Sequence, residues 1–219
     1  MLNHFNKTAM VLGLSFIGTV NADSILKYEK MVSEDIKETV TLSITGRWLR
    51  IDSDVKGKAD YTLMDTGRML MFEVMDGDKS YRQTHMGKFY WPEDLLPKLK
   101  PAREKASVSG VRCQKVHEMG PEKPLAHHCM AAGSALGLNE RKTKTLSRLF
   151  LVARRMGMEW PGISTKDERQ VSVSSHVLEN GSSLKFVSVE HKAIPDNRMK
   201  IPDDYKQIRV EQKKHNKAG

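Results

Sequence analysis

Residues 36–45 alternate strictly. Ile36, Glu38, Val40, Leu42 and Ile44 take one parity, and Lys37, Thr39, Thr41, Ser43 and Thr45 take the other. A period of two fits a strand with one buried face; wound as a helix, the same residues would scatter their apolar set around the axis. Thr45-Gly46 breaks the pattern, and residues 47–54 begin a second strand with Leu49 and Ile51 on one side. Upstream, Leu26, Tyr28 and Val32 mark a first strand, and downstream come segments 60–65, 68–75 and 79–86. Their separators are Asp54-Val55-Lys56-Gly57, Asp65-Thr66-Gly67 and Asp76-Gly77-Asp78. These are turn residues at hairpin lengths. Six strands in succession joined this way make an antiparallel meander.

The pattern then changes. Phe89-Tyr90-Trp91-Pro92 opens a region read as loop or short helix, running through Pro97 and Pro101 to Lys105. Its aromatic cluster is read as an anchor, or as the mouth of a cavity. Segments 111–119 and 125–131 follow as strands on either side of Gly120-Pro121-Glu122-Lys123-Pro124. If they pair symmetrically about Pro121, Cys113 and Cys129 oppose each other, within disulfide reach. One amphipathic helix is expected over residues 139–156, with Asn139 as N-cap and Gly157 as its stop. Leu146, Leu149, Phe150, Ala153 and Met156 share one of its faces, and Arg141, Lys144, Arg148 and Arg155 lie roughly opposite. Two last strands, 171–179 and 182–194, flank Asn180-Gly181, a strong hairpin signal that sets Val177 against Leu184. About ten strands therefore surround one helix. The fold class is α+β, mainly β: a curved antiparallel sheet wrapped on a helix.

The first 22 residues give a compartment. Lys7 precedes an apolar run from Thr8 to Val20, and Val20-Asn21-Ala22 is a small-residue cleavage site. This is the pattern of a secretory signal peptide, and the run is too short for a stable membrane anchor. Asp23 rather than Cys follows, so the lipoprotein signature is missing. The expected organisation is signal 1–22, a single domain 23–210 and a basic, frayed tail 211–219. The whole chain carries a net charge of +9, and Lys7 is the sole charged residue before Asp23, which leaves +8 on the remainder. Outside the cytoplasm such a balance points to anionic lipid, acidic glycans or acidic proteins before nucleic acid. Two cysteines in an exported chain read as one disulfide.

These elements resemble the bacterial outer-membrane lipoprotein-carrier (LolA/LolB-like) superfamily. The resemblance rests on the signal peptide, the early meander, the strings WLRIDSD and DYTLMDTGRMLMFEVMDGDKSY, a helix inserted late, and a closing IPDDYKQI. It implies an incomplete barrel around an apolar hollow that holds acyl chains.

On that basis Val40, Leu42, Ile44, Leu70, Phe72 and Val74 are expected to face the hollow, with Leu146, Leu149, Phe150 and Ala153 as its lid. The leading expectation is a non-enzymatic, soluble periplasmic protein that binds or carries lipid or lipoprotein acyl chains. The alternative is an envelope interaction module with a filled core. In that case Arg141, Lys144, Arg148 and Arg155 form a contact for an anionic membrane surface or an acidic envelope protein. The string His127-His128-Cys129-Met130 has the donor types of a soft metal site, with His117 and Met119 on the partner strand and Met69, Met71 and Met75 on another. Neighbouring strand residues point to opposite faces and a disulfide removes the thiolate, so no metal is expected. No Gly-x-Ser-x-Gly, His-Glu-x-x-His or phosphate-binding glycine loop occurs, and no cofactor is expected.

Overall fold

The six-strand meander expected from the alternation is present, and it forms one half of a larger sheet. The computed structural model describes residues 22–33, 36–54, 59–87, 96–155, 160–165 and 168–208. The signal segment, the aromatic cluster Phe89-Tyr90-Trp91, Met156 with Gly157, and the basic tail lie outside the described residues. The meander comprises β1 (Ser24–Ser33), β2 (Ile36–Thr45), β3 (Trp48–Ser53), β4 (Tyr61–Asp65), β5 (Leu70–Met75) and β6 (Ser80–His85). Then come β7 (Leu99–Val108), β8 (Val111–Met119), β9 (Pro124–Ala132), helix α1 (Glu140–Arg155), β10 (Gln170–Val177), β11 (Ser183–His191) and β12 (Lys206–Ile208). All twelve strands join one open sheet in the order β12-β6-β5-β4-β3-β2-β1-β11-β10-β9-β8-β7. Every neighbouring pair is antiparallel except β12 with β6. The architecture is thus the mainly β, curved sheet on a helix that the alternation implied, left open as the incomplete barrel of the resemblance would be.

Helix α1 fills the hollow of this sheet. Ile44 opposes Leu49, Leu49 opposes Met64, and Met64 opposes Met71, giving one apolar row across four strands. Leu26, Leu42 and Ile51 form a second row. Both rows, with Tyr28 and Val40, belong to one cluster with Leu146, Leu149 and Phe150 of α1. Polar contacts fix the helix in place. Asn139 Oδ1 accepts the Lys142 N–H at 3.0 Å, the expected N-cap. Thr145 Oγ1 donates to the Gly46 carbonyl at 3.1 Å, and Arg148 Nη1 donates to the Thr66 carbonyl at 2.9 Å. Gly46 turns at φ +58° with the Arg141 guanidinium 3.6 Å from where a Cβ would stand. Glycine suits this turn for its backbone, since a side chain there would meet the guanidinium only at ordinary contact distance.

The opposite face of the meander has its own core. Tyr61, Leu63, Phe72 and Val74 pack with Trp48, Leu70 and Tyr81 beneath Ile201 and Tyr205. The closing segment is held there by Tyr205 OH donating to Asp76 at 2.9 Å and by the Lys206 N–H donating to the Lys79 carbonyl at 2.9 Å.

Three expectations are corrected. Residues 99–108 form the strand β7, not a loop or short helix. β7 lies at the sheet edge, where Pro101 forfeits no ladder bond that a central strand would need. The β10–β11 hairpin sets Ser175, not Val177, against Leu184. Its turn takes in two more residues, closed by the Val177 N–H to the Ser182 carbonyl at 2.8 Å, with Gly181 at φ +70°. The β8–β9 hairpin is centred on Glu122, so Cys129 opposes Lys115. The turn over 120–123 and a register irregularity between Glu118 and Met119 cause this shift. Cys113 and Cys129 are nonetheless bonded, diagonally across the ladder, with Cα atoms 5.4 Å apart.

Replacing both cysteines with serine is expected to cost about 3 kcal/mol of unfolding free energy, the value for closing a loop of about this length. Urea denaturation of the oxidised protein and the double variant measures it. A change below about 1 kcal/mol would mean that the ladder alone holds the hairpin.

Candidate functional site

Strands β7 to β11 curl on themselves. Three strands separate β7 from β11 in the sheet, yet Ser109 Oγ, at the β7–β8 turn, donates to the Phe186 carbonyl on β11 at 2.7 Å. The curl encloses an open trough of about 890 Å³, the size of a site for a lipid or drug-sized ligand.

Register shows which residues line it. His117 opposes His127, and His127 opposes His176. One step along, Lys115 opposes Cys129, Cys129 opposes Ser174, and Ser174 opposes Lys185. Directly paired residues share a face, and all of these line the trough. Ala102, Ala106 and Val108 of β7 add apolar surface, and Arg103 adds a further cation. Among the described residues Glu104 is the single acid in the lining, and Lys115 Nζ holds its carboxylate at 2.6 Å. The trough therefore combines the apolar Ala102, Ala106 and Val108 of β7 with cationic side chains on β7, β8 and β11. Its histidines are in contact: His117 Nδ1 lies 2.6 Å from His127 Nδ1, with ring centroids 4.6 Å apart. Burial lowers the His127 pKa, and the neighbouring His117, His176 and His128 add to that shift.

The other face of the same strands holds a closed network. His128 Nδ1 meets Ser175 Oγ at 2.9 Å, and its Nε2 meets Glu118 Oε2 at 3.2 Å. Arg154 Nη2 of α1 donates to Glu118 Oε1 at 2.5 Å. Burial pushes the Glu118 pKa up, but the hydrogen bonds from His128 and Arg154 outweigh it and hold the group at about 2. The connectivity resembles a Ser-His-carboxylate relay. Ser175 and His128 are each only 3% exposed. The network instead locks the end of α1 to β8, β9 and β10.

The structure divides the residues expected to face the hollow. Val40, Leu42, Ile44, Leu146, Leu149 and Phe150 do converge, and they fill the space between them. Ala153 is fully buried too. Leu70, Phe72 and Val74 belong to the opposite core under Ile201 and Tyr205. Leu70 pairs with Asp65 and Phe72 with Leu63, on the parity that faces away from the helix. The basic helix face is engaged by the chain itself. Arg141 packs over Gly46, Lys144 and Arg148 pair with Glu168, and the Arg155 side chain lies outside the described residues. His127 and His128 sit on opposite faces, and Cys129 is in the disulfide. Among the described residues, no three metal-ligating side chains are gathered closely enough to hold an ion. The sequence reading passed over Arg103, Lys115, His176 and Lys185. Only the register between distant strands brings them together.

No protein-family profile matches the chain, and comparison with curated proteins gives no significant match. Solved structures do resemble it. An uncharacterized conserved protein from Thermus thermophilus superposes with a TM-score of 0.50 at 8% identity, over 88% of this chain and 93% of that one. MucB, in its complex with MucA from Pseudomonas aeruginosa, gives 0.46 at 11% identity over 86% of this chain, which spans 58% of that one. A LolA-superfamily protein from Nitrosomonas europaea gives 0.32 at 7% identity over 84% and 91%. The likeness to the Thermus protein is one of fold. None of these identities transfers a residue role.

Glu118 makes an acid-sensitive contribution to stability. Its folded pKa of about 2 lies below the ordinary 4.5, so its stabilisation is present above pH 4.5 and is lost as pH falls towards 2. A shift of this size corresponds to roughly 3 kcal/mol at most. Glu118→Gln is expected to unfold more easily at pH 7 and to show a flatter loss of stability between pH 5 and pH 2. Urea midpoints across that range test it, and parallel curves for the two proteins would contradict it.

Proposed function

We propose that this chain is a non-enzymatic binding module of the cell envelope, and that it holds an amphiphilic anion in the β7–β11 trough. The ligand is a single acyl chain carrying an acidic head. The carrying observation is the contrast between two spaces. The hollow under α1 is packed with Leu42, Ile44, Leu49, Leu146 and Phe150. The trough is open, with Ala102, Ala106 and Val108 on one wall and Arg103, Lys115 and Lys185 around it. Apolar burial at about 25 cal/mol per Å² drives chain capture, and the cations beyond the Lys115–Glu104 pair, Arg103 and Lys185, select the head. The envelope setting is supported by the signal-like segment read at residues 1–22 and by the Cys113–Cys129 bond, since such bonds persist in oxidising compartments. The contact-helix alternative finds less support, because Lys144 and Arg148 already pair with Glu168.

Ala106→Trp puts an indole into the trough from a partly exposed wall. It is expected to weaken binding of a fluorescent fatty-acid probe by at least about tenfold, roughly 1.4 kcal/mol, with little change in thermal midpoint. Phe150→Leu, beneath the helix, should leave the affinity nearly unchanged while lowering stability. Equal binding by wild type and Ala106→Trp would refute the trough as the site.

A further inference from the structure

Three histidines at one register position need a reason that a lipid-lined wall does not supply. His117, His127 and His176 stand on three adjacent strands, each directly opposite the next. Cross-strand partners on one face lie close enough for their side chains to touch, and the first two already meet through Nδ1. The charged groups around the row are mostly cationic. On β7 they are Arg103 and Glu104, with Lys100 opposite His117. On β8 there is Lys115 and on β11 Lys185, while behind the sheet His128 contacts Glu118 and Arg154 holds that carboxylate. Glu104, the one acid in the lining among the described residues, is taken by Lys115.

Burial and the neighbouring imidazoles disfavour the charged form of His127, and charging it would add to the cations already around the trough. An acidic head placed against the row reverses the balance. It offers an acceptor to each ring N–H and offsets the charge of an imidazolium, so ligand and proton bind together.

We infer that His117, His127 and His176 are the head-recognition end of the trough, and that they bind a strongly acidic oxyanion head, phosphate or sulfonate, by taking up a proton with it. This rests on the acyl-anion reading of the trough and names the head that the reading leaves open. The step is an acid–base equilibrium: one proton moves from solvent to an imidazole nitrogen, and a charge-assisted N–H to oxygen hydrogen bond forms. Affinity rises as pH falls, because solvent protons then meet part of the cost of charging the row.

Decanesulfonate suits the test, since its head keeps one negative charge throughout the range. Calorimetric titration of the full chain at pH 5.5 and 7.5, in buffers of different ionisation enthalpy, reads both affinity and protons taken up. Binding is expected to be about tenfold tighter at pH 5.5, with close to one proton taken up at pH 7.5. His127→Gln and His176→Gln should abolish the uptake and flatten the pH dependence. They should retain the weaker, chain-driven binding, and that residual should still be lost in Ala106→Trp. Inorganic sulfate distinguishes a free oxyanion from a lipid head. Proton-linked binding of sulfate as tight as that of decanesulfonate would assign the row to free anions and overturn the acyl part. Decyltrimethylammonium should bind no more tightly at pH 5.5 than at 7.5. Decanesulfonate binding that is blocked by Ala106→Trp yet independent of pH and without proton uptake would overturn the histidine inference and leave the trough intact. Binding insensitive to Ala106→Trp would overturn both.

Discussion

Everything in this molecule is arranged around where α1 can hide its apolar surface. The helix is buried on most of its circumference, with Leu146, Leu149, Phe150, Val152 and Ala153 all out of solvent. A surface helix hides one stripe; this one needs walls on several sides. The meander supplies one of them through its two apolar rows. The segment carrying Trp160, Gly162 and Ser164 supplies another, with Ser164 Oγ hydrogen-bonded to Ser147 and the Trp160 ring 6.1 Å from that of Phe150. Polar groups on the helix fix its axis and register against Gly46, Thr66 and Glu118. Because the helix occupies the hollow so fully, little space for a ligand is left there.

The same constraint creates the second space. A twelve-stranded sheet cannot keep wrapping one short helix, so its β7–β11 end bends on its own account and meets β11 again through Ser109 and Phe186. Period-two alternation then gives the two faces of that end different chemistry. One face sends Glu118 and His128 toward the end of α1; the other presents His117, His127, Cys129 and Lys115 to the trough. The disulfide, diagonal across β8 and β9, ties these two strands of that wall together.

Much of the fold was legible in the sequence because local rules governed it. The alternation from Ile36 to Thr45, the Asn139 cap and the turn residues each depend on their neighbours alone. What was missed depends on long-range register. A hairpin centred on Pro121 leaves His117 opposite Leu125, whereas the true centre at Glu122 sets it opposite His127. A shift of one turn position thus changes every partner while keeping each residue's face. The parity of β5 was lost for the same reason: Leu70, Phe72 and Val74 read as apolar alternation, and only the pairing with Leu63 and Asp65 shows that they face Ile201 and Tyr205 instead of the helix. β7 escaped notice because Pro101 and its charges are rules for edges, and a sequence does not announce an edge.

The decisive measurement is hydrogen exchange on the full chain, stripped of bound lipid, with and without oleate. Oleate in the trough slows exchange in β7 and across β9, β10 and β11, while α1 and β2–β4 are unchanged. Protection concentrated in α1 and β2–β4 would contradict the trough, because it would mean that the helix swings out and the hollow beneath it is the binding site after all.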